Sequence, residues 1–193
     1  LQGHIKISDP ESGEVLIDKR NAIHYENMSI ALAESLANSG QGPIYKMAFG
    51  NGGTSVDPTG IITYLTPNST GTNASLYNKT FDKVVDDQAS NNTDPVRNKL
   101  ETRHVSGTNY TDILVSCLLD YGEPSGQSAF DTATNTENLY VFDELGLVSA
   151  GANGADGRLL THVIFHPVQK SLNRLIQIDY TVRVQSLTGF NEA

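Results

Sequence analysis

The stretch "NRLIQIDYTVRVQ", residues 173–185, constrains this chain more than any other. Ile176, Ile178, Tyr180, Val182 and Val184 fall at every second position, with Gln177, Asp179, Thr181 and Arg183 between them. A period of two sends the apolar set to one face of a strand and the polar set to the other, whereas a helix would scatter both around its circumference. The sequence therefore predicts a half-buried strand here, and the rest of the chain must supply a sheet with one covered face. A second run, "YTDILVSCLLDYG", is apolar on both sides: Ile113, Val115, Cys117 and Leu119 oppose Leu114, Ser116 and Leu118. That pattern predicts a central strand.

Further short strand patterns recur along the chain. "GHIKISDPESGEVLIDK" holds two alternating runs around Pro10 and Gly13, which predicts a hairpin. "IYKMAFG", "GIITYL", "KLETRHVSG", "LYVFDELGLVS" and "RLLTHVIFHP" follow, the last expected to end at Pro167. One segment has helical spacing, near residues 25–38: Met28, Leu32 and Leu36 recur every four positions, and Ile30, Ala33 and Ala37 widen the stripe. Asn27 is the expected cap at its start and Gly40 at its end. Residues 66–98 and 121–138 are rich in turn formers and poor in apolar residues, so both are expected to be long loops. The predicted fold is mainly β, an antiparallel β-sandwich-like or β-rich α+β arrangement. It forms a single domain over 1–193, with a hairpin plus helix in 1–43 and the antiparallel sheet core in 44–184.

Charge narrows the partners. There are 13 basic and 22 acidic residues, a net charge of −9. Such a surface repels phosphate backbones and anionic lipid, so neither nucleic acid nor membrane is an expected partner. The lone Cys117 rules out an intrachain disulfide and fits a reducing compartment.

Five features could carry chemistry. His162 and His166 would share a helix face, but their neighbours favour a strand, on which four residues span about 13 Å, too far for one metal ion. "FGNGGTSVDPTG" (49–60) is glycine-rich but leads to a strand and contains no lysine, so it is expected to be a wide turn with positive φ at Gly52 or Gly53 rather than a phosphate loop. "DKVVDD", with Asp82, Asp86 and Asp87, lacks the alternating order of a calcium loop and is expected to be a solvated acidic loop. Asp143 and Glu144 are adjacent, and neighbours on a regular strand point to opposite faces. Cys117 lies mid-strand, where thiols are inert. The expectation is a chain that is not an enzyme and holds no cofactor or metal.

The segment 141–184, "VFDELGLVSAGANGADGRLLTHVIFHPVQKSLNRLIQIDYTVRV", resembles structural proteins of tailed bacteriophages, of the tail-fibre, collar and baseplate-attached type. The matching positions are Glu144, Gly146 and Leu147, then Leu159 and Leu160 after a glycine-rich turn. A Phe-x-Pro-x-x-Lys corner follows, at Phe165, Pro167 and Lys170, and feeds the terminal strand. "SGEVLIDKRNAIHYENMSIALAESLA" and "YKMAFGNGGT" are similar to virion proteins of marine and cyanobacterial phages. The resemblance implies a virion component, assembled in the host cytoplasm as a homo-oligomeric ring. It would serve as a neck, collar or tail adaptor that contacts neighbouring copies and other virion proteins and anchors fibres. A capsid decoration protein is one alternative. A carbohydrate-binding module using Tyr64, Tyr77, Tyr110 or Tyr121 is another. A start at Leu1 rather than Met fits a short leader removed or left out.

Overall fold

The computed structural model describes residues 1–124 and 139–186. The order is β1 (Gln2–Ser8), β2 (Val15–Arg20), β3 (Ala22–Ile23), α1 (Tyr25–Leu36), β4 (Ile44–Gly50), β5 (Thr54–Val56), β6 (Ile62–Tyr64) and β7 (Lys79–Val84). Then come β8 (Lys99–His104), β9 (Tyr110–Leu119), β10 (Leu139–Ala150), β11 (Asp156–Leu159), β12 (Thr161–Ser171) and β13 (Ile176–Gln185). One sheet has the order β2-β1-β13-β9-β8. The other runs β3-β12-β10-β4-β7 with β11 beside β10, and β5 and β6 form a separate hairpin. All pairings are antiparallel. The fold is mainly β and sandwich-like, as the sequence predicts.

The terminal strand lies in the middle of the first sheet. Ile178 of β13 faces Ile7 on one side and Cys117 on the other. Ile176, Ile178, Tyr180 and Val182 are buried, and Val184 at the fraying end is half-buried. These side chains meet Met47, Phe49, Tyr140, Phe142, Leu147, Val163 and Phe165 of the second sheet in one core. Phe142 is its hub, with ring centroids 5.5 Å from Phe49, 5.5 Å from Tyr140 and 5.7 Å from Phe165. Burying each such ring contributes about 1.5–3 kcal/mol, and the edge-on pairs add about 0.5–1.5 kcal/mol each.

The helix forms where its spacing predicts, but different residues cap it. His24 is the N-cap, its Nδ1 accepting the Asn27 N–H at 3.2 Å. Asn27 sits inside the first turn and donates from Nδ2 to the Leu159 carbonyl at 2.9 Å. Asn38, not Gly40, takes the first left-handed position after the helix, at φ 51°. The buried face is Asn27, Met28 and Ala31, while Leu36 is 88% exposed. Eight residues at about 100° each leave Leu36 about 80° round from Met28, off the packed side.

Two other departures matter for the site. Residues 66–98 are not one loop, because β7 forms within them and pairs with β4, Phe81 opposite Phe49. Its charges are paired there: Asp82 pairs with Lys46 and Lys79, and both lysines also reach Asp156. Asp82 thus belongs to a four-charge cluster rather than to a solvated loop. Nor does Pro167 end its strand. β12 continues to Ser171, and the turn into β13 lies at 172–175, so Phe165, Pro167 and Lys170 do not form a corner. Between Phe142↔Val168 and Glu144↔Ile164 the register shifts, with extra residues on β12, and Pro167 sits in that bulge. A residue with no N–H is tolerated there because the ladder is already interrupted. Of the second expected loop, residues 125–138 lie outside the described residues. No helix among the described residues is long and apolar enough to cross a membrane.

Leu147, Leu160 and Phe165 are core residues. Gly146 allows close layering, since a Cβ there would come within 2.6 Å of Leu159 Cδ1 and of the Thr161 carbonyl oxygen. Gly146→Ala is therefore expected to destabilise the fold by about 1–3 kcal/mol, read as a lower urea midpoint at unchanged slope.

Candidate functional site

The bulge in the β10–β12 pairing breaks strand alternation. Phe142 and Leu145 both enter the core, three residues apart, so Asp143 and Glu144 both end up outside it. Instead of pointing to opposite faces, they grip the same loop. Asp143 accepts from the Gly53 N–H and the Thr54 N–H, both at 2.9 Å, and from the Thr54 hydroxyl. Glu144 Oε1 accepts from the N–H groups of Gly52 at 3.1 Å and Asn78 at 2.8 Å. Its Oε2 accepts from the Tyr77 N–H and from His162 Nε2, both at 2.9 Å.

The glycine-rich segment thus does what such loops do, presenting backbone N–H groups to an anion, and the anions are two carboxylates of the same chain. Neither Gly52 nor Gly53 has positive φ. Glycine is needed there for proximity: a Cβ on Gly52 would lie 2.8 Å from the Asn78 nitrogen and from Tyr77 Cβ.

His162 is fully buried, with both ring nitrogens engaged. The Asn68 N–H donates to Nδ1 at 2.7 Å. Because that N–H can only donate, the ring proton sits on Nε2, where it goes to Glu144. His24 is buried in the same way, with Nδ1 accepting from Asn27 and Nε2 donating to the Gly71 carbonyl at 2.8 Å. His24, His162 and Glu144 together fasten residues 68–78 to the outer face of the second sheet, where Leu76 packs on Ala48 and Leu159. His166 is exposed on the same strand, near the Tyr64 hydroxyl at 3.3 Å. Among the described residues no three His, Cys, Asp or Glu side chains are grouped to hold a metal ion.

Burial alone would raise the Glu144 carboxyl. The donors from His162, Asn78, Tyr77 and Gly52 outweigh it and hold the group below its ordinary value of 4.5. With four donors on two oxygens and no exposed surface, this carboxylate is saturated, and its chemistry is to fix loops in place. Cys117 is buried and its thiol is pushed up to about 12, which leaves it unreactive.

What the clamp fixes most visibly is the β5–β6 hairpin. Thr54 is its first residue, and the Leu65 N–H closes it onto the Gly53 carbonyl at 2.9 Å. The hairpin exposes Val56, Ile61, Tyr64 and Leu65, while Ile62 faces a groove lined by Leu16, Ile17, Val141, Pro167 and Val168.

Of the tyrosines, Tyr64 and Tyr77 lie on this side. Tyr110 is covered by the Arg183 guanidinium at 3.9 Å, and the Tyr121 hydroxyl bonds Glu11, so the four do not make one platform. Lys170 is not near a surface corner. It is buried and donates to the Ser171 carbonyl at 2.6 Å. Burial pulls its ammonium down to about 8, with Glu123 and Asp120 opposing.

The clamp could not be found from sequence spacing, because its partners are backbone N–H groups 66, 67 and 92 positions away from Glu144. The one available signal was a carboxylate pair in an otherwise apolar strand.

Glu144→Gln places an amide against two N–H donors and is expected to cost about 2–5 kcal/mol. Amide hydrogen exchange at Gly52, Tyr77 and Asn78 should quicken more than in β13. The folded-state value of Glu144 lies below its unfolded value, so its stabilisation is complete above pH 4.5 and fades as pH falls through the folded value. That acid loss should shrink in the variant.

For Lys170 the slope has the same sign but falls in a higher window, and its cause is burial of the ammonium. Between pH 8 and 10.5 the unfolded chain binds more protons, so stability rises with pH in that window. The stability difference between the wild type and Lys170→Met, measured by urea unfolding, should move in favour of the wild type across it.

Comparison with protein-family models, with curated proteins and with solved structures returned no match.

Proposed function

We propose that this chain is a structural component of a tailed-phage virion, an oligomeric adaptor in the neck, collar or tail region. The observation that carries the reading is the β5–β6 hairpin. Its Val56 and Ile61 are each 62% exposed and its Tyr64 50%, yet its base is anchored by buried carboxylates. Apolar side chains held rigidly in water favour burial against another protein, with little further ordering cost on docking. The acidic surface keeps such a part from adhering to packaged DNA. The resemblance of residues 141–184 to tail-fibre and collar proteins supports the same assignment, with neighbouring copies and other virion proteins as partners.

The test is quantitative mass spectrometry of purified particles. The wild-type chain should be present at a copy number that is a small multiple of six or twelve. A chain carrying both Val56→Asp and Ile61→Asp should fold normally, because both sites are exposed, yet enter particles at least roughly tenfold less. Hundreds of copies per particle would instead identify a capsid decoration protein, and absence of the wild-type chain from particles would overturn the reading.

A further inference from the structure

The first sheet ends at β8, whose outer side has no strand beside it among the described residues. An open edge is a template for another strand. On β8, Leu100 and Thr102 lie opposite Val115 and Ile113 of β9, and Leu100 packs on the core. Lys99, Glu101 and Arg103 therefore alternate on the other face, as plus, minus, plus. Glu101 pairs with Lys99 at 2.7 Å, whereas Arg103 makes no salt bridge among the described residues. All three positions from Glu101 to Arg103 are exposed.

We propose that β8 pairs with β8 of a second copy of this chain, antiparallel about a two-fold axis through Thr102. In that register Glu101 faces the partner's Arg103, and Arg103 faces the partner's Glu101. Lys99 lies beside the exposed Val105 of the partner subunit, whose side chain covers the lysine stem. Sliding by two residues one way sets Glu101 against Glu101, and sliding the other way sets Arg103 against Arg103. A slip of one residue would put the charged face of one sheet on the core side of the other. The charge order thus selects one register, and two copies of the five-stranded sheet become continuous. Self-pairing gives a closed, isologous contact, so it produces a dimer and not a fibre. The inference deepens the assembly reading but does not depend on the virion assignment.

Sedimentation velocity on the purified chain tests it. The wild type should dimerise at high micromolar concentration. Glu101→Arg and Arg103→Glu should each weaken the dimer roughly tenfold or more, by setting like charges opposite. The double swap Glu101→Arg with Arg103→Glu should restore affinity to within roughly threefold. Thr102→Cys should cross-link as a dimer on oxidation, because the only native thiol, Cys117, is buried. A monomeric wild type would overturn the proposal, as would a dimer indifferent to the single swaps or not rescued by the double one. Absence from particles would remove the virion reading and leave this dimer standing. A monomer that still enters particles would do the reverse.

Discussion

The carboxylate of Glu144, with no surface exposed to water, accepts four hydrogen bonds from groups that no regular ladder would satisfy. Removing such a charge from water is costly, and the structure repays that cost with directed donors rather than with a cation. The donors come from three places, the glycine loop, residues 77–78 and His162, so one side chain ties three segments together. Asp143 extends the grip to Thr54, and His24 holds the far end of the covering segment at Gly71. The outer layer of the second sheet hangs on this arrangement. Its apolar contribution, the small cluster of Ala48, Leu76 and Leu159, is modest by comparison with the main core.

The clamp also links interior to surface. The β5–β6 hairpin has only its own short pairing as a strand unit, and two short strands alone are marginally stable in water. Anchoring at Gly53 and Thr54 lets it hold apolar side chains outward without collapsing onto the sheet. At the opposite side of the molecule, the β8 edge presents charges in an order that fits its own copy. One surface is apolar and the other is charge-coded, and both follow from where the sheets end.

How much was legible in the sequence varies by element. β13 and β9 could be read residue by residue because each is long, alternating or doubly apolar, and lies inside a sheet. The helix was placed well but its cap was not, because a histidine served as acceptor and a buried asparagine was spent on a tertiary bond. β7 was hidden, since three of its six residues are charged and its strand state depends on pairing with β4. The glycine loop was legible only as a turn: neither Gly52 nor Gly53 has the expected positive φ, and their N–H groups bind two internal carboxylates.

The sequence alone determined the class of fold, because a period of two over ten residues in β13 admits no other use of its apolar face. It also determined the acidic surface and the inert thiol. Only the tertiary structure decided the site. Whether Asp143 and Glu144 diverge or converge depends on a register shift between two strands, which is a property of the pair and of neither strand alone. The same shift lets β12 carry a proline through its middle and leaves Lys170 inside the protein, where local sequence would have put it at a turn.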